Sequence, residues 1–95
     1  MNDDELTRKL NSIGKQIFVK HFALFEQYGL GRITRAQAID ELVKLGVSNK
    51  AGAGIRAGNA KLIFEANRAQ DALSIIIESN RIPLPVLAEA RRLIQ

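Results

Sequence analysis

The chain has no cysteine and no tryptophan, one histidine, and only five aromatic side chains (four phenylalanines and one tyrosine) in 95 residues. The absence of cysteine excludes disulfides, thiol catalysis and thiolate metal sites. The single histidine, His21, cannot supply the usual set of zinc ligands. The few aromatic rings offer little for stacking single-stranded bases.

Motifs for catalysis or nucleotide binding are also missing. No nucleophile-elbow pattern surrounds a serine. The glycines Gly52, Gly54 and Gly58 have the spacing G-x-G-x-x-x-G, which differs from the dinucleotide fingerprint and lacks a preceding strand. We therefore expect no enzyme activity, no cofactor, no metal and no small-molecule substrate.

Length and composition predict one helical domain over residues 1–95, of the ordinary water-soluble type. No apolar run approaches the roughly 18 residues needed to cross a bilayer, so we expect no membrane association. The residues after Met1 are acidic, which is the wrong charge for an export signal. A cytoplasmic protein is the expectation.

Apolar residues at helical spacing predict one long helix from Asp3 to Tyr28. A second helix is expected after Thr34, because Thr34 and Gln37 match a capping box. Gly46 is expected to end that helix, and Ser48 is the candidate cap of the next one.

The segment from Ala38 to Ser48 resembles the first helix and turn of helix-turn-helix proteins, in which a Leu-Gly-Val-Ser stretch precedes the recognition helix. The resemblance covers about a fifth of the chain and implies a DNA-binding helix after Ser48. The chain departs from the pattern at Gly52, where a recognition helix usually has a buried Val or Ile. Two helices joined by a glycine turn, as in any helical domain, remain the alternative.

The C-terminal third predicts two more helices, which brings the expected total to about five. Apolar spacing favours a helix from about Gln70 to Ser79, while the β-branched residues within Leu73–Ile77 leave a short strand as the alternative. Pro83 and Pro85 interrupt the chain, and Pro85 fits the first position of the last helix.

Positive charge is concentrated between Lys44 and Arg68, where five basic side chains face one acidic one. The net charge of the whole chain is +4, so the remainder is neutral. A basic segment of this kind favours an anionic partner, and duplex DNA is the first hypothesis. In that hypothesis the chain is a small regulator, or the binding domain of a larger system, and its helix Ser48–Arg68 docks on DNA. The expected nucleic-acid contacts are Asn49, Lys50, Arg56, Lys61 and Arg68.

The same helix also supports a protein-interaction hypothesis, because it is apolar on two sides and rich in small residues. Here the chain would form a homodimer, or would act as an inhibitor or adaptor of a larger complex. The basic residues would then form the rim of the interface. The expected contact residues are Ala53, Ala57, Ala60 and Phe64.

Overall fold

Helices alone build the structure, a computed structural model that describes residues 1–95. There are seven of them and no strand: α1 (Asp3–Ile13), α2 (Lys15–Lys20), α3 (Phe22–Gly29), α4 (Arg35–Lys44), α5 (Lys50–Glu65), α6 (Ala69–Glu78) and α7 (Leu84–Leu93). The all-α class predicted from the sequence is confirmed, and the strand alternative for Leu73–Ile77 is wrong. The seven helices slightly exceed the predicted number of about five.

The difference arises in the N-terminal segment, where the single long helix predicted from the sequence is three helices. Gly14 separates α1 from α2 with φ 96° and ψ 123°, a backbone conformation that glycine adopts readily and other residues rarely do. His21, at φ −116° and ψ 25°, separates α2 from α3. Apolar spacing continues across both breaks, so the periodicity of the sequence does not reveal them.

Helix α5 lies at the centre of the fold and packs against α1, α3 and α4. Its inward side is made of small residues and one larger one, Ala53, Ala57, Ala60 and Ile63, all of them fully buried. Small side chains allow neighbouring helices to approach closely. The rest of the single core comes mainly from α1 to α3 and from α6, with Phe18 and Phe25 as its largest members.

Local capping interactions determine where α4 and α5 begin and where α4 ends. The capping box of α4 is confirmed: Gln37 N–H donates to Thr34 Oγ1 at 3.2 Å, and Thr34 N–H donates to Gln37 Oε1 at 2.8 Å. Gly46, at φ 74°, follows α4 as expected. The cap of α5 is Asn49 rather than Ser48, because Asn49 Oδ1 accepts the backbone N–H of Gly52 at 2.8 Å.

The C-terminal helices α6 and α7 pack against each other, and α7 also contacts α2. The predicted α6 is confirmed to within a residue at either end. Helix α7 begins at Leu84, so Pro85 occupies its second position rather than the first. Both positions lack an intrahelical partner for the backbone N–H, which explains why proline is tolerated there.

Candidate interaction surfaces of the fifth helix

Arg56, predicted to contact nucleic acid, is instead an internal tie between α5 and the end of α1. Its guanidinium donates a hydrogen bond to the carbonyl of Ile13, the last residue of α1. That carbonyl is one of those that a helix end leaves without an intrahelical partner. The side chain is half-buried, and its Nε is enclosed without a hydrogen-bond partner. A phosphate would have to compete with this internal hydrogen bond for the guanidinium of Arg56.

Lys61 is also engaged within the fold. Its Nζ donates to the carbonyl of Tyr28 at 3.2 Å and lies 4.5 Å from the centroid of the Tyr28 ring. The ammonium thus joins α5 to α3 through a hydrogen bond and a cation–π contact. A phosphate would have to compete with both interactions.

Arg68 does not belong to α5, because this helix ends at Glu65 and is shorter than the predicted helix Ser48–Arg68. Arg68 precedes α6 and fastens the N-terminus of the chain. It donates to the carbonyl of Met1, to Asp3 Oδ1 and to Asp71 Oδ2, each at 2.6 Å. The hydrogen bonds to Asp3 and Asp71 raise the pKa of Arg68 above its ordinary value. Its role in this fold is a structural clamp.

Lys50 and Asn49 are the predicted contacts that the fold leaves at the surface. Both are exposed, although Asn49 uses its carbonyl oxygen to cap α5. Lys50 takes part in none of the ion pairs of the chain. It is the one predicted cation of this helix that is free to bind a partner.

Arg35 is a surface cation outside the set of predicted contacts. It is the first residue of α4, and its guanidinium lies against Gly54 and Gly58 in the middle of α5, where a Cβ would be only 3.0 and 3.6 Å away. Arg35 and Lys50 line one open hollow of about 560 Å³ between α4 and α5, together with Ala36, Ile39 and Asp40. Only the folding of α4 back along α5 brings these two cations together, so sequence spacing carries no signal of it.

The surface predicted for protein contact is mostly inside the molecule. Ala53, Ala57 and Ala60 are completely buried among the other helices. Phe64 is half-buried and packs on Phe22, with 5.3 Å between ring centroids. Ala53, Ala57 and Ala60 are therefore not accessible to a partner in this fold, and Phe64 is accessible only in part.

The opposite side of α5 is apolar and exposed. Ile55 is 60% exposed and Leu62 is 46% exposed, seven residues or about two turns further on. Ala51 and Gly58 lie on the same side by helical spacing, and both are at least partly exposed. We call these four residues the outer face of α5. The sequence indicated two apolar sides of this helix, and the other side was the one predicted for contact.

His21, the single histidine, lies between α2 and α3 and is half-buried. Burial, with a smaller effect from the neighbouring charge of Lys20, holds the pKa of His21 below its ordinary value of 6.5. No group of three or more His, Asp or Glu side chains converges in the fold as a metal site. His21 therefore has the surroundings of a residue at the edge of the core.

Comparison of the chain with models of protein families, with curated proteins and with solved structures finds no match. None of the helices is both long and apolar enough to cross a bilayer. The candidate surfaces are therefore interpreted from their own residues: the outer face of α5, and the cations Arg35 and Lys50 beside it.

Proposed function

We propose that this chain is a non-enzymatic protein-interaction module whose contact surface is the outer face of α5. The observation that carries the proposal is the exposure of Ile55 and Leu62 on a helix whose inward side is completely buried. Single exposed apolar residues are common on protein surfaces. Here two large ones lie about two turns apart on one side of the same helix, and removing both from water gains free energy.

The charges around α5 support this choice over a helix that docks on DNA. Arg56, Lys61 and Arg68 already have partners within the chain, so α5 does not present a row of free cations. Arg35 and Lys50 border the outer face on one side, as expected for the polar rim of an interface.

The proposal is tested by using the chain as bait in a lysate of its source cells, with and without the substitution Ile55→Glu. We expect a defined protein to be captured by the natural chain and lost from the variant, because a carboxylate in the contact would have to be desolvated. Cross-links from the captured protein should map to α5. The matched control is Leu84→Glu, which changes a residue that is 78% exposed on α7.

Two results would contradict the proposal. One is capture that Ile55→Glu leaves unchanged. The other is capture that Ile55→Glu and Leu84→Glu reduce equally. Circular dichroism of both variants verifies that they remain helical, which we expect because both side chains are largely outside the core.

Binding to duplex nucleic acid is the second candidate, and it is favoured by the hollow that Arg35 and Lys50 share. Both cations are exposed and neither belongs to an ion pair of the chain. In this candidate the contacts would be made by Arg35 and Lys50 beside α5 rather than by a row along it. Such contacts would displace counterions, so binding should weaken steeply as salt is raised.

Fluorescence anisotropy of a labelled duplex, at low and near-physiological salt, tests this second candidate. The double substitution Arg35→Ala/Lys50→Ala should weaken binding, whereas Lys20→Ala/Arg91→Ala should do so much less. The two variants lose the same net charge from exposed positions, so a difference between them reports the location of the site. Equal weakening, or no binding at low salt, would exclude a nucleic-acid site at this hollow.

A further inference from the structure

We infer that the outer face of α5 binds a second copy of this chain, with the two α5 helices antiparallel across a two-fold axis near Gly58. The inference rests on the proposed function and names the partner for the same surface. It follows from the order of residues along α5. When two copies of this helix run in opposite directions, apolar residues meet apolar residues and positive charges meet negative ones.

The two large apolar residues of the outer face are arranged almost symmetrically about Gly58. Ile55 lies three residues before Gly58 and Leu62 lies four residues after it. An antiparallel pair centred there places Ile55 of each copy against Leu62 of the other. Gly58 has no side chain at the axis, and the nearest atom to a Cβ built there is Arg35 Nη1 at 3.6 Å. No side chain of α5 therefore separates the two backbones at the axis, and the flexible end of Arg35 must move aside for the helices to approach closely there.

The charges at the two ends of α5 fit the same arrangement. Lys50 begins the helix and Glu65 ends it, and both are exposed and outside every ion pair of the chain. They are fifteen residues apart, which is four turns and about 60° of rotation, so both lie on the same flank of the outer face. The two-fold axis of an antiparallel pair lies in the interface and is perpendicular to both helices. It therefore places this flank of both copies on the same side of the dimer. Lys50 of each copy then meets Glu65 of the other.

A parallel pair would not have this property. Its two-fold axis runs along the helices, so residues at the same height meet, and Lys50 would stand at the same end as Lys50 of the second copy. Opposite charges are therefore matched only in the antiparallel arrangement. Lys61, four residues before Glu65, does not compete for this carboxylate, because its ammonium is held by Tyr28.

Arg35 gives the dimer a distinguishing feature. Its guanidinium lies over Gly54 and Gly58 near the proposed axis, so the arrangement brings two such groups toward each other on one flank. Their mutual repulsion opposes association. Removing the charge with Arg35→Ala should therefore tighten the dimer, although a cation at an interface rim normally contributes to binding or has no effect.

The first experiment is sedimentation velocity of the whole chain over a concentration series into the submillimolar range. A contact made mainly by one pair of helices is at the small end of protein interfaces, so we expect a dimer in the micromolar range or weaker. Ile55→Arg should leave only monomer at every concentration. Leu84→Arg, at an even more exposed apolar position on α7, should dimerise like the natural chain.

The second experiment tests the antiparallel register by reversing charges. Lys50→Glu and Glu65→Lys should each weaken the dimer about fivefold or more at low salt, because each places like charges together twice by symmetry. Mixing these two variants should restore association as a heterodimer, since every charged pair is then again opposite in sign. The double variant Lys50→Glu/Glu65→Lys should also recover.

Each outcome decides the inference. A natural chain that stays monomeric, or a dimer that tolerates Ile55→Arg, overturns it. A dimer sensitive to Ile55→Arg whose charge variants do not recover on mixing overturns the antiparallel register. If the chain is monomeric but captures another protein through Ile55, the homodimer fails while the proposed function stands. If neither association nor capture depends on Ile55, both fail.

Discussion

Replacing Gly29 with alanine should destabilise this fold, although alanine is the better helix former. Gly29 ends α3 where α3 packs against α5, and a Cβ at this position would lie 2.5 Å from Phe64 Cβ and 2.8 Å from Phe64 Cγ. Non-bonded carbon atoms prefer about 3.5–4.0 Å. Because Phe64 Cβ is attached directly to the backbone of α5, the clash can be relieved only by moving one helix relative to the other.

The expected magnitude comes from two opposing effects. Overpacking of a filled contact costs about 1–3 kcal/mol, and the gain in helix propensity from glycine to alanine is at most about 1 kcal/mol. Phe64 cannot rotate away freely, because its ring also packs on Phe18 and Phe22 at 6.1 and 5.3 Å between centroids. The net loss should be about 1–2 kcal/mol, and for a domain of this size each kcal/mol shifts Tm by about 4–8 °C.

Gly58→Ala is the matched control, because it adds the same methyl group to a helix without a close neighbour. The nearest atom is Arg35 Nη1 at 3.6 Å, an ordinary contact with the end of a flexible side chain. Helix propensity should then raise the free energy of unfolding by up to about 1 kcal/mol. Urea and thermal unfolding of both variants, at low protein concentration, measure the difference. A Gly29→Ala variant as stable as Gly58→Ala would refute the close packing of α3 on α5.

Two further predictions concern residues at the breaks of the N-terminal helices. Arg56→Met keeps much of the aliphatic stem but removes the hydrogen bond to the Ile13 carbonyl, so urea denaturation should show a loss of about 1.5 kcal/mol or more; an unchanged midpoint would contradict the tie between α5 and α1. His21 has a folded-state pKa below 6.5, so the unfolded chain takes up its proton first and stability should fall as the pH drops below about 6.5 toward the folded pKa. His21→Gln should flatten this part of the profile, and an identical slope in both proteins would contradict the assignment.

Much of the local structure could be predicted from neighbouring residues alone. Thr34 and Gln37 form the expected capping box, and the apolar spacing identified α6 despite its β-branched residues. The site was harder to predict. Arg56 and Lys61 look like free cations in the sequence, but their partners, the carbonyls of Ile13 and Tyr28, are 43 and 33 residues away. Such contacts leave no mark in local spacing.

The sequence by itself determined the fold class and the charge of the chain, because helical periodicity, caps and composition act over a few residues. Only the tertiary structure decided which side of α5 is core and which is surface. Both sides are apolar in the sequence, but the small residues of the Ala53 side allow α1, α3 and α4 to approach, whereas Ile55 and Leu62 remain in solvent. The tertiary structure also places three of the predicted cations, Arg56, Lys61 and Arg68, in internal contacts. It brings Arg35 beside Lys50 as well. Both results depend on contacts between residues that are far apart in the sequence, which local spacing does not reveal.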